Sequence, residues 1–243
     1  MLKKILLILV AVLLLAYLSL TVSYTNSYAK KNSVCKELRV NIADDEERQY
    51  LTENDIINSI QKAGLSSVGK DLALVNTAAI EKKLEEDRFI KRVECFKTVG
   101  GTVRVKVFHR TPILRIFSMR ESYYVDSDGE KMPIPANFAA YVPVANGFID
   151  DEFAKKQLFE FAMFLQQDKF WNSQIKQIYV AQNGEIELTP AVGSHRIILG
   201  KIENYKENLE KLRLFYDEGL SKVGWNKYSV INLKFKNQVV CTK

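Results

Sequence analysis

Two histidines, three cysteines and one acidic turn are the residues of this 243-residue chain most able to do chemistry. His109 follows an alternating segment and His195 opens another, and neither lies near a nucleophile in a catalytic pattern. The chain has no G-x-S-x-G, no H-E-x-x-H, no S-x-x-K and no phosphate-cradling glycine loop, and Gly100-Gly101 reads as a turn. Both histidines therefore read as structural. Cys35, Cys95 and Cys241 contain no C-x-x-C pair and have no histidine at metal spacing, which excludes a zinc site. Cys35 and Cys241 could form one disulfide, while Cys95, inside an alternating segment, reads as a small buried hydrophobe. Asp126-Ser127-Asp128-Gly129 mimics the opening of a calcium loop, but position twelve counted from Asp126 is Asn137 instead of a bidentate glutamate. Turn chemistry accounts for these residues better. No cofactor, no metal and no small-molecule substrate is expected, and the chain reads as a binder of proteins, not as an enzyme.

Composition points the same way. The net charge of +6 comes from lysines scattered along the chain, not from a basic face interleaved with aromatics, so nucleic acid is not an expected partner. The first 24 residues carry the most direct message. Residues 5–22, ILLILVAVLLLAYLSLTV, hold no charge and no proline, and as a helix they span about 27 Å against a hydrocarbon core of about 30 Å. The expected organisation is a cytoplasmic tail over 1–4 and a single membrane-spanning helix over 5–24, with Lys3 and Lys4 on the side that stays inside. Ser27-Tyr28-Ala29 fits a signal-peptidase site, but the apolar run is longer than a signal h-region. Either reading puts 30–243 outside the cytoplasm.

Residues 36–110 read as a small α+β domain of order βααββ. LRVNIA is a strand. Thr52 and Asp55 make an acidic capping box for a helix carrying Ile56, Ile57, Ile60 and Ala63, with Gly64 at its end. A second helix begins at Asn76 or Thr77, buries Ile80 and Leu84, and turns Glu81, Lys82, Lys83, Glu85 and Glu86 to solvent. Two alternating segments around Gly100-Gly101 form a hairpin.

Residues 111–243 are richer in strands. A hairpin closes at the acidic turn, and Val142-Pro143-Val144-Ala145-Asn146-Gly147 reads as an apolar connector. A helix is expected over 151–168, strands flank Asn183-Gly184, and another strand ends at Gly200. A helix capped by Asn204 and Glu207 is expected to stop at Gly219. Val230-Ile231-Asn232-Leu233-Lys234-Phe235 then alternates as a last strand, with Ile231, Leu233 and Phe235 facing inward.

The βααββ order, the Ile80-Glu81-x-x-Leu84 helix and the Arg110-Thr111-Pro112 exit resemble a POTRA domain. With the anchor, the D-x-D-G turn, the Ile197-Ile198-Leu199-Gly200 segment and the last strand, the chain resembles the FtsQ/DivIB family of bacterial cell-division proteins. The resemblance implies a bitopic scaffold of α+β class: transmembrane helix, POTRA-like domain, then a mixed β-sheet domain with packed helices. It implies work at the division septum and recruitment of FtsB/FtsL-like partners through a terminal edge strand, carried here by Phe235, Lys236, Asn237, Gln238, Val239 and Val240. Edge lysines such as Lys236 would suit solubility or an acidic partner. Two departures stand out: the tail is short, and Asn232 and Phe235 replace an acid and a tyrosine of the family pattern. The rival readings are a POTRA-bearing component of outer-membrane assembly or secretion, which would repeat the module and continue into a barrel, and an envelope enzyme of unrecognised type.

Overall fold

The computed structural model describes residues 2–31, 34–43, 51–118 and 121–243, which divide into two compact units, one ending at His109 and the other running from Arg110 to Lys243. The first element is α1 (Leu2–Lys31). Met1 of the expected tail, and the side chains of residues 2–8, lie outside the described set. Among the described residues no helix is long and apolar enough to cross a membrane. The described large apolar side chains of α1 between residues 9 and 22 are all exposed, from Val10 at 48 % to Leu20 at 70 %.

The rest of the first unit is β1 (Glu37–Ile42), α2 (Glu53–Lys62), α3 (Thr77–Glu85), β2 (Ile90–Lys97) and β3 (Thr102–His109). Its helix starts follow local chemistry. The Thr52 side chain accepts the Asp55 amide while the Asp55 carboxylate takes the Thr52 amide at 2.8 Å, the reciprocal capping box. Asn76 caps α3 by accepting the Ala79 amide at 3.0 Å. The sheet order is β1-β3-β2, with β1 parallel and β2 antiparallel to the central strand. Ile56, Ile60, Ile80 and Leu84 pack on Val93, Val103, Val105 and Val107. Glu85 is exposed as helical spacing expects and Glu81 is half-buried, and both also reach the β2 backbone.

The second unit contains β4 (Pro112–Ser118), β5 (Ser122–Asp126), β6 (Lys131–Met132) and β7 (Val144–Gly147), then helical turns α4 (Asp151–Phe153), α5 (Phe159–Gln167) and α6 (Lys169–Gln174). β8 (Ile175–Val180), β9 (Glu185–Pro190), β10 (Arg196–Lys201), α7 (Tyr205–Phe215), α8 (Ser221–Val223), β11 (Val230–Asn232) and β12 (Val240–Thr242) complete it. The nine strands form one mixed sheet, β12-β11-β10-β9-β8-β7-β4-β5-β6. One apolar row crosses eight of them in register: Tyr123, Ile116, Ala145, Ile178, Leu188, Ile197, Ile231 and Cys241. Leu158, Phe161, Leu165, Leu209, Leu212 and Tyr216 from the helices belong to the same core. A period of two on strands and about 3.6 on helices turns this row and the helix stripes toward one layer, while Tyr124 and Met132, paired across β5 and β6, are buried outside it.

Several expectations need correction. Val144–Gly147 is a strand inside the sheet, parallel to β4 and β8, not a connector. The helix expected over 151–168 carries a π-helical turn, Ala154–Leu158. Asn204 precedes α7 but makes no capping hydrogen bond. The helix also runs past Gly219, through a π-helical turn (Tyr216–Leu220) and α8. Gly219 is small for a different reason: a Cβ there would stand 2.9 Å from the Phe215 ring. The stop comes at Gly224, whose φ of +96° suits glycine and breaks the helix. Last, the strand expected over 230–235 stops at Asn232, three residues before the alternation does, and a further strand, β12, follows it.

Candidate docking edge

That early stop shapes the candidate site. The Asn232 side-chain oxygen accepts the Lys234 amide at 3.0 Å, an Asx-type bond that competes with ladder pairing and turns the backbone. Leu233 still buries its side chain and donates its amide to the Ile198 carbonyl at 2.9 Å. From α7, Lys211 Nζ then donates to the carbonyls of Leu233 at 2.8 Å and Phe235 at 2.9 Å, tying the departing chain to the helix. Lys234 Nζ reaches Glu185 at 2.6 Å, and this cation holds the Glu185 carboxyl below the usual range. Asn237 takes a left-handed φ of +59°, which asparagine tolerates better than most residues. The chain reverses and returns as β12, antiparallel to β11, with Val240 opposite Asn232 and Thr242 opposite Val230.

The structure thus redistributes the six residues read as one edge strand. Phe235 is not a core residue; it is 49 % exposed at the start of the reversal. Lys236 and Asn237 form the turn, and Gln238 and Val239 lead out of it. Only Val240 belongs to the outermost strand, which continues with Cys241 and Thr242. Beside it lies a groove of about 370 Å³ lined by Lys211, Leu214, Phe215, Gly219, Gln238 and Val239. Leu214 exposes 66 % of its surface there. Sequence reading missed Cys241, Thr242 and Leu214. The β-branched run after Asn237 was the available signal for the first two; nothing local marks Leu214, because its neighbour across the groove is more than twenty residues away.

The opposite edge of the sheet offers less. β6 is two residues long, Met132 is buried, and Lys131 is ion-paired with Glu121.

The residues with chemical potential are committed elsewhere. His195 is 2 % exposed and hydrogen-bonded through Nε2 to the Tyr216 hydroxyl at 2.7 Å. Burial holds its pKa below the ordinary imidazole value, outweighing the opposing pull of the Trp225 backbone. His109 is buried at the end of β3. In the acidic turn the fully buried Asp126 carboxylate is ion-paired to Arg110 at 2.7 Å and accepts the amides of Asp128 at 2.9 Å and Glu130 at 2.8 Å. Those bonds explain the D-x-D-G spacing as turn chemistry. All three cysteines are free thiols, with Cys35 in the first unit and Cys241 in the second. Among the described residues no group of histidine, cysteine, aspartate or glutamate could hold a metal.

Comparison with known proteins places both units. Residues 33–108 match a POTRA-like domain, and residues 111–242 match the model described as FtsQ/DivIB, C-terminal related. The cell division protein FtsQ of Rhodothermus marinus is 25 % identical over 193 residues, which cover 72 % of this chain and 69 % of that protein. The match to the C-terminal model spans more than half of the chain and most of the nine-stranded sheet that ends in β12. The chain is therefore a member of the FtsQ/DivIB family of cell-division proteins.

Proposed function

We propose that this protein is a non-catalytic, single-pass membrane scaffold that recruits FtsB/FtsL-like partners at the division septum by strand addition to β12. In this reading residues 1–4 are cytoplasmic and 5–24 span the bilayer. A POTRA-like domain over 36–110 and a distal domain over 111–243 then work outside the cytoplasm. The observation that carries it is the free side of β12, the outermost strand of the sheet, with an apolar groove alongside. An unpaired edge presents a row of N–H and C=O groups that an extended peptide can extend, and neighbouring pockets select its side chains. Leu214, Phe215 and Val239 offer the apolar contact, and Lys211 and Glu218 on the same lining give the groove one charge of each sign. The uncharged run over 5–22 and its all-round apolar exposure from residue 9 support the anchor.

The experiment uses the full chain in detergent, with proline placed at Val240 and, separately, at Cys241. Adjacent strand residues direct their amides to opposite sides, and proline is tolerated only where no ladder bond is lost. One of the two variants should keep its melting temperature and lose capture of the FtsB/FtsL-like partner. Capture retained by both folded variants would move the docking site away from β12.

A further inference from the structure

The POTRA-like unit also has a sheet edge, and its chemistry differs from that of β12. In the order β1-β3-β2, the strand β2 has β3 on one side only. On the other side the Cys95 amide donates to Glu81 Oε1 at 2.6 Å, and the Val93 amide donates to Glu85 Oε1 at 3.3 Å. The match is geometric. Glu81 and Glu85 are one turn apart on α3, about 6 Å of helix rise. Val93 and Cys95 are successive residues of like orientation, roughly 6.6 Å apart along a strand. Two consecutive outward amides of the edge therefore meet two consecutive carboxylates of the helix.

The intervening residue, Glu94, plays no part in this and is ion-paired with Arg92 at 3.1 Å. Ile80 and Leu84, each next in sequence to one of the two glutamates, are buried and fix the rotation of α3 that brings the carboxylates to the edge. Carboxylate-to-amide bonds are stronger than neutral ones, so these acceptors compete well against a peptide carbonyl. Burial first, and the Glu81 charge second, also push the neighbouring Cys95 thiol up to about 12, which keeps it inert.

We propose that Glu81 and Glu85 form a built-in stopper that closes the β2 edge to strand addition, so that an incoming strand gains this edge only by displacing both carboxylates. Ordinary edge protection uses lysines, prolines or bulges to discourage a neighbour. Here the amides a neighbour would need are already occupied by side chains of the same module. The device leaves the backbone of β2 regular, and withdrawal of two side chains is enough to open it.

Residue-resolved hydrogen exchange of the full chain in detergent micelles tests this, comparing wild type with the double variant Glu81→Ala, Glu85→Ala. In wild type the amides of Val93 and Cys95 should be protected although no strand covers them. In the double variant both should exchange roughly tenfold to a hundredfold faster, the range for losing a hydrogen bond to a charged group. Amides of β3 should stay protected. Equal exchange at Val93 and Cys95 in the two chains, or unprotected exchange there in wild type, overturns the proposal. If the alanine chain loses protection in β3 as well, the Glu81→Met, Glu85→Met chain decides. It keeps the side-chain length and helix propensity but offers the amides no oxygen, and selective acceleration at Val93 and Cys95 supports the stopper while unchanged rates refute it.

Discussion

Asp126 should be the most sensitive polar residue of the distal unit. Its side chain is 0 % exposed, whereas its partner Arg110 retains 23 %. Replacing Asp126 by asparagine keeps an oxygen for the amides of Asp128 and Glu130 but turns a donor toward the guanidinium. Removing one partner of a buried pair costs about 3–5 kcal/mol, and the partial exposure of Arg110 argues for the low end, about 3 kcal/mol. Asp126→Ala also orphans the two turn amides, each worth about 1 kcal/mol or more, and should cost about 4–5 kcal/mol. For a unit of this size each kcal/mol corresponds to roughly 3–5 °C in melting temperature, so the asparagine variant should melt about 10–15 °C lower. Both tryptophans of the chain, Trp171 and Trp225, lie in the distal unit, so their fluorescence follows its melting alone. Glu152→Gln is the matched control: its ion pair with Lys156 is exposed on both sides and should be worth under about 1 kcal/mol. A loss below about 1 kcal/mol for Asp126→Asn would refute the view that this buried pair and its turn bonds hold the β5–β6 end of the sheet.

Leu84→Ala should destabilise the POTRA-like unit by about 2–5 kcal/mol, because Leu84 is 1 % exposed among Ile80 and the sheet valines, whereas Lys83→Ala should change it by under about 0.5 kcal/mol; chemical denaturation of both variants checks this. Since burial lowers the folded-state pKa of His195, its contribution is complete above the unfolded imidazole value and is lost as pH falls through that value toward the folded one. Tryptophan-monitored melting between pH 7.5 and 5 should therefore show a slope of up to about 1.4 kcal/mol per pH unit that His195→Gln removes. Leu13→Arg puts a charge in the middle of the apolar run, costs about 2.5–3.5 kcal/mol on insertion, and should reduce membrane retention in cell fractionation.

What the sequence disclosed, and what it hid, divides along the range of the interactions. The Thr52–Asp55 box, the helix start at Thr77 and the burial of Ile80 and Leu84 all depend on residues within four of one another, and each stands where spacing places it. Gly219 misled because a glycine at a helix end and a glycine under an aromatic ring look alike in sequence; only Phe215 packed on it distinguishes them. The strand expected through Phe235 failed because alternation continues past Asn232, while the side-chain bond to Lys234 and the Lys211 clamp from α7 redirect the backbone. Glu81 and Glu85 satisfy the pattern of a solvated face and of an edge stopper equally well. Their partners, eight and fourteen residues away on β2, decide between the two.

Amide hydrogen exchange at β12, measured on the full chain with and without the FtsB/FtsL-like partner, tests the proposed recruitment most directly. Strand addition predicts that outward amides among Val240, Cys241 and Thr242 become protected in the complex, with the amides of β6 at the far edge unchanged. Binding that leaves exchange at all three residues as it was in the free protein would contradict docking at this edge.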